Sequence, residues 1–235
     1  MTKDGFIKEV LKLGITLDDE KLTKLDKFYH LLIYWNEKIN LTTIVKEEEV
    51  YLKHFYDSLT LIKAVNLQDN LTLLDVGTGA GFPGIVLKIV FPNLKITLLD
   101  SLNKRINYLN EIIKELNLTG IDTVCYRCED YAKNNREKYD IAVARAVSSL
   151  QVLSEIIIPT VKVNGLFIAM KSNVDFEIDN SLDIIKKLDS KLENIIEFNL
   201  PTENSKRNLV VIRKLKSTNL KYPRNYSVIK KSLKK

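Results

Sequence analysis

From residue 71 onward the chain repeats one pattern, a short apolar run followed by a stretch with helical spacing. The runs are "LTLLDV", "KITLLD", "DTVCYR", "YDIAVARAV", "GLFIAMK" and, near the end, "NLVVIRK". Strands this apolar are buried on both faces, and with helices between them they belong in a parallel sheet. Between the second and third runs, "SLNKRINYLNEIIKELNL" sets Leu102, Ile106, Leu109, Ile113 and Leu116 on one stripe, with Ser101 as the expected cap. The pattern predicts an α/β fold, a doubly wound Rossmann-like sheet over residues 66–215.

Residues 1–65 follow a different rhythm. Leu22, Leu25, Phe28, Leu32, Trp35 and Ile39 recur at three- and four-residue steps behind "TLDD", where Thr16 is the expected cap. A second helical piece covers "EEEVYLKHFYDSLTLIKAV", and "NLTTI" is the break between the two. Together they predict an N-terminal helical extension with an apolar face to bury. Trp35 is read as core, and His54 and Asp57, spaced i, i+3, as packing or capping groups near a cleft.

The formal charge of +6 is unevenly spread. No Asp or Glu follows Glu203, whereas eleven lysines and arginines do, leaving residues 1–203 with 25 basic against 30 acidic groups. Residues 216–235 therefore read as a basic tail for a polyanionic partner, with Arg224, Lys230 and Lys231 among its contacts. No apolar run approaches the roughly 20 residues of a membrane span, and the start "MTKDGFIKEVLKLG" lacks a signal-peptide core. A cytoplasmic protein without a membrane partner, working as a monomer, is expected. Cys125 and Cys128 form a lone "CYRC", too little for a disulfide framework, and with His30 and His54 scattered there is no zinc spacing.

"LLDVGTGAGFPG" places the glycine turn at the end of the first strand, the floor of the ligand crevice in such a sheet. Gly79, Gly81 and Gly84 spell GxGxxG, so a nicotinamide-dependent oxidoreductase is one reading. Counted from the strand end, however, the first glycine is Gly77, and the fingerprint in that register would need glycine where Phe82 sits. Asp75 disfavours a pyrophosphate at the turn and suits a cationic head. S-adenosyl-L-methionine carries an ammonium and a sulfonium and no phosphate. Asp100, ending the second strand, would then hold the ribose hydroxyls, and Glu129 or Asp130 in "CYRCEDY", or a backbone amide beside them, would read the adenine edge.

"NLTTI", "HFYDSL", "LLDVGTGAGFPGI", "LLDSLNKR" and "VARAVSSL", in this order along the chain, resemble the bacterial ribosomal RNA small subunit methyltransferase G family, also called glucose-inhibited division protein B; the likeness covers nearly the whole chain. The resemblance implies a class I methyltransferase that transfers a methyl group from S-adenosylmethionine to N7 of one guanine in 16S ribosomal RNA, free or in the small ribosomal subunit. It also implies cofactor contacts at Gly77, Phe82, Cys128, Glu129 and Arg145, with Asp100 as the ribose acid.

What the sequence lacks agrees with that chemistry. After the fourth strand there is no Asn/Asp-Pro-Pro-aromatic motif for an exocyclic adenine amine and no cysteine nucleophile for pyrimidine C5; the segment reads "ARAVSSL". Guanine N7 needs neither, because its lone pair lies in the ring plane and no proton leaves. In-line positioning and exclusion of water suffice, so no catalytic residue is named. Splaying the base out calls for a stacking face, and Phe82 and Arg145 are the candidates. A non-catalytic RNA-binding assembly factor is the remaining alternative.

Overall fold

The computed structural model describes residues 1–145 and 148–232. Ala146 and Val147, expected in the fourth strand, and Lys234 and Lys235, expected in the tail, lie outside the described residues.

Two helices open the chain, α1 (Lys3–Lys12) and α2 (Asp19–Ile39). Asp18, not Thr16, caps α2 by accepting from the Lys21 N–H at 2.8 Å; it stands immediately before the first helical residue, where a side-chain oxygen reaches the free amides. Asn40 ends the helix in the left-handed region, at φ 49°. The second helical piece is segmented: α3 (Glu47–Val50), a π-helical stretch Tyr51–Tyr56, α4 (Asp57–Leu59) and a 3₁₀ turn Thr60–Lys63.

The α/β unit alternates β1 (Thr72–Val76), α5 (Gly84–Val90), β2 (Lys95–Asp100), α6 (Asn103–Glu115), β3 (Ile121–Cys125), α7 (Cys128–Asn134), β4 (Tyr139–Arg145), α8 (Leu150–Ile157), β5 (Val161–Lys171) and α9 (Glu177–Lys187). An antiparallel pair closes it, β6 (Ser190–Asn199) and β7 (Lys206–Lys214), followed by the short α10 (Tyr226–Ser232). Spatial order is β3-β2-β1-β4-β5-β7-β6, with β1 to β5 parallel and β7 antiparallel to both neighbours. The order reverses beside β1, between β2 and β4, so the tips of β1, β2 and β4 border one crevice.

β6 was not among the expected strands. It is a sheet edge with most residues partly or fully exposed, and its sequence "SKLENIIEFN" mixes charge with apolar residues. That composition protects an edge and hides its strand character. Ser101 does not cap α6; Leu102 precedes the helix, and its N–H is held by Asp100 Oδ1 at 3.0 Å.

A core lies on each face of the sheet. On one, Leu25, Phe28, Leu32 and Phe55 of the N-terminal helices pack into the same cluster as Phe82, Ile85 and Leu109. On the other, α8 and α9 share a cluster with Tyr222 and Ile229, so the last segment is packed down and not a free tail. Thr218 is also buried there.

Candidate functional site

A cleft of about 470 Å³ opens at the carboxyl ends of β1, β2 and β4, of a size that suits a small ligand. Its floor is the glycine turn, pinned to the neighbouring strand where the Gly77 and Thr78 N–H groups donate to Leu99 O at 2.8 and 3.2 Å. Gly79 has φ +59°, and a Cβ built there would meet only Gly77 O, at 3.9 Å. The left-handed backbone favours glycine, and the missing side chain leaves ligand space instead of packing space. Gly84 serves differently. A Cβ there would fall 2.3 Å from Leu98 Cδ2 and 2.8 Å from Asp75 Oδ2, so glycine lets the helix start sit against the strand.

Asp75, expected at the cofactor's cationic head, is instead fully buried beneath the turn. Its Oδ2 accepts from Thr78 Oγ1 at 2.7 Å and Gly84 N–H at 2.8 Å, while Oδ1 has no partner among the described residues. Burial pushes its pKa up to about 6, against the opposing pull of those two hydrogen bonds. Asp75 holds the turn's shape. Asp100 does line the cleft, with Oδ2 accepting from Gly79 N–H at 3.1 Å and Arg105 Nη1 at 3.1 Å, and Oδ1 from Leu102 N–H. A carboxylate has about four lone-pair positions, which leaves acceptor capacity for a hydroxyl.

Beyond β3 the two acids separate. Glu129 is buried and borders the cleft, whereas Asp130 points away and pairs with Lys133 at 2.9 Å. Cys128 also borders the cleft, but its thiol donates to Ile156 O at 3.3 Å and burial pushes its pKa up, so the sulfur is a packed group. Tyr126, 60% exposed and on the cleft wall, was not foreseen. Its signal was an aromatic just past a strand tip on the side of Asp100.

Phe82 and Arg145 both border the cleft, yet neither is a free stacking face. The Phe82 ring is buried, stacked on His54 at 4.4 Å between centroids and packed on Phe28 at 5.4 Å. The Arg145 guanidinium lies over the same ring at 5.1 Å. Arg145 Nη1 donates to Asp57 Oδ2 and Lys53 O, both at 3.1 Å, and Nη2 lies 3.2 Å from His54 Nδ1. Asp57 takes a second arginine, Arg207, at 3.2 Å. Base stacking on Phe82 is therefore corrected: its faces are already covered by protein.

Of the tail groups, Arg224 is committed to the buried Glu155, which corrects its assignment to RNA. Lys230 and Lys231 are exposed on α10, whose first residue, Tyr226, borders the cleft. No group of three or more metal-ligating side chains occurs among the described residues, and no described helix is long and apolar enough to cross a membrane.

The family model for rRNA small subunit methyltransferase G (GidB) matches residues 21–210. The chain belongs to this family. The ribosomal RNA small subunit methyltransferase G of Acetivibrio thermocellus is 52% identical over 90% of this chain and 88% of its own. That of Bacillus subtilis is 46% identical over 99% and 98%. Among solved structures, a SAM dependent methyltransferase from Aquifex aeolicus aligns with a TM-score of 0.55 at 16% identity, over 72% of this chain and 94% of its own. A precorrin-6y C5,15-methyltransferase from Geobacter metallireducens gives 0.52 at 17%, over 75% and 92%. These two show a shared class I methyltransferase fold. Family membership makes the protein a methyltransferase with S-adenosylmethionine as donor, and the nicotinamide reading of the glycine pattern is not favoured.

Proposed function

We propose that this protein methylates N7 of a guanine in 16S ribosomal RNA, with Gly77, Gly79, Asp100 and Glu129 as its principal cofactor contacts. The observation that carries the reading is the side-chain-free space at Gly79 beside an acid, Asp100, with acceptor capacity to spare. That pairing suits the methionine and ribose portions of the donor. Asp130, turned to Lys133, is left out, and Cys128 contributes backbone only.

When bound, S-adenosylmethionine supplies an electrophilic methyl group on a sulfonium. The chain's own task is to bind and orient. Asp100, itself fixed by the Gly79 and Leu102 amides and by Arg105, would hold a ribose hydroxyl at its remaining acceptor position. Arg145 is immobilised by Asp57 and Lys53 and borders the β4 side of the cleft. His54 and Phe82 back that wall with a buried aromatic stack. No side chain has to remove a proton, because N7 carries none, and orientation in a water-poor cleft can supply most of the acceleration.

The exposed lysines of the last segment, Lys230 and Lys231 with Lys216 and Lys221, supply the electrostatic attraction to RNA. We place the activity in the cytoplasm, where small subunits assemble, and read the protein as acting as a monomer.

The test is transfer of labelled methyl to small subunits and to free 16S RNA, followed by borohydride and aniline scission, which cuts at N7-methylguanine. One cut site in ribosomal RNA is expected. Label that enters RNA without a cut would place the methyl on another atom; RNA binding without label would make the protein an assembly factor.

A further inference from the structure

The break "NLTTI" between α2 and α3 is built to hold one hydroxyl. Asn36 Oδ1 accepts from the N–H groups of Leu41 at 2.6 Å and Thr42 at 2.8 Å, which fixes the chain just past the left-handed Asn40. Thr42 Oγ1 then lies 3.1 Å from the Ile44 N–H and 3.0 Å from His54 Nε2.

The proton on His54 decides what that hydroxyl can do. Arg145 Nη2 lies 3.2 Å from His54 Nδ1, and a guanidinium only donates. Nδ1 must therefore present its lone pair. A proton on Nδ1, directed at Lys53 O 3.2 Å away, would set that N–H against the Arg145 Nη2 donor. Burial, reinforced by the Arg145 charge, holds the ring neutral with a pKa of about 3. A neutral ring that accepts at Nδ1 carries its proton at Nε2 and donates it to Thr42 Oγ1. With Ile44 N–H as the second donor, both lone pairs of the Thr42 oxygen are used. What remains is its proton, with no further acceptor among the described residues.

Thr42 borders the cleft. Strand order puts the tips of β2 and β3, with Asp100, Tyr126 and Glu129, on one side of β1, and the tip of β4, with Arg145, on the other. Through His54, Thr42 is tied to the Arg145 side of the cleft. A donor-only group there suits a carbonyl oxygen on the methyl acceptor.

We propose that the Thr42 hydroxyl donates to O6 of the target guanine and selects guanine over adenine. The inference rests on the guanine-N7 reading above. O6 and N7 share one edge of the base, so a hydrogen bond to O6 also sets N7 in line. Adenine offers an amino group at that position, and two donors would face each other.

The test uses small subunits reconstituted on 16S RNA carrying either guanine or 2-aminopurine at the methylated position. 2-Aminopurine keeps N7 and lacks O6. Wild type should act on 2-aminopurine about tenfold more slowly, the scale of one lost hydrogen bond. Thr42→Val should show the same loss on guanine and no further loss on 2-aminopurine. Thr42→Ser should restore discrimination, and S-adenosylhomocysteine affinity should stay at the wild-type value in both variants. Equal wild-type rates on the two bases would overturn the proposal without recourse to any variant. So would full discrimination by Thr42→Val, or a loss of cofactor affinity there, which would assign the hydroxyl to the cofactor. If wild type transfers no methyl to guanine-containing subunits, the guanine reading fails and takes this inference with it.

Discussion

Arg224 closes a two-point contact on Glu155 from 69 residues further along the chain, Nε to Oε1 at 2.7 Å and Nη2 to Oε2 at 2.6 Å. The Arg224 backbone N–H adds a third bond to Oε1 at 3.0 Å. Glu155 is 1% exposed, while Arg224 keeps contact with solvent. The pair fastens the last segment to α8, close to where Tyr226 meets the cleft.

Because the burial is lopsided, the two partners should not be equivalent. Arg224→Ala leaves a buried, unpaired carboxylate and should lower unfolding free energy by about 3 kcal/mol. Glu155→Gln keeps an acceptor of the same shape and should cost about 1 to 2 kcal/mol. Urea titrations of both variants check this. Equal small losses would mean that Glu155 reaches water.

Asp100→Ala should weaken S-adenosylhomocysteine binding by about 1.5 to 3 kcal/mol, the scale of a hydrogen bond to a charged group. Calorimetry measures it. Unchanged affinity would move the ribose elsewhere and leave Asp100 as a strut between Gly79 and Leu102.

Of the nine described basic groups after Glu203, five are held in ion pairs: Lys206 with Glu197, Arg207 with Asp57, Arg213 with Glu193, Lys214 with Glu137 and Arg224 with Glu155. Lys216, Lys221, Lys230 and Lys231 remain exposed. Changing these four to Gln, instead of truncating a packed segment, should lower the slope of log affinity against log salt by about 1 to 3 units, at roughly 0.7 per phosphate contact. Cofactor affinity should not move. Parallel salt plots would assign RNA binding to other surfaces.

His54 gives a pH dependence of known sign. Its folded pKa of about 3 lies below the roughly 6.5 of an unfolded histidine. Between those values the unfolded chain binds more protons, so stability is fully present above about pH 6.5 and is lost as pH falls. Asp75, raised to about 6 from its ordinary 3.8, acts oppositely between those pH values. The difference between wild type and His54→Gln isolates the histidine. From pH 7 to pH 5 wild type should lose about 2 kcal/mol relative to the variant; curves that run parallel would mean that the folded ring titrates normally.

Local pattern carried much of the architecture. The buried strands β1, β2, β4 and β5 were legible as apolar runs because both of their faces are covered, Gly77 and Gly79 were legible as the cleft floor because a strand tip followed by glycines has few other uses, and Asp100 was legible beside them as the acid that ends the next strand. β6 was hidden because its exposed edge needs no apolar run.

Side-chain commitments between distant elements were decided only in three dimensions. Asp75 and Asp100 end adjacent strands, yet a Thr78 hydroxyl and the Gly84 amide draw one beneath the turn while the other faces the cleft. Phe82 and Arg145 looked available until His54 and Asp57, brought over by the N-terminal helices, occupied them. Thr42 looked like part of a helix break until His54 and Ile44 took both lone pairs of its oxygen. Backbone propensity and apolar spacing are local and can be read along the chain. Which lone pair, ring face or charge stays free depends on partners far off in sequence, and only the packed structure assigns them.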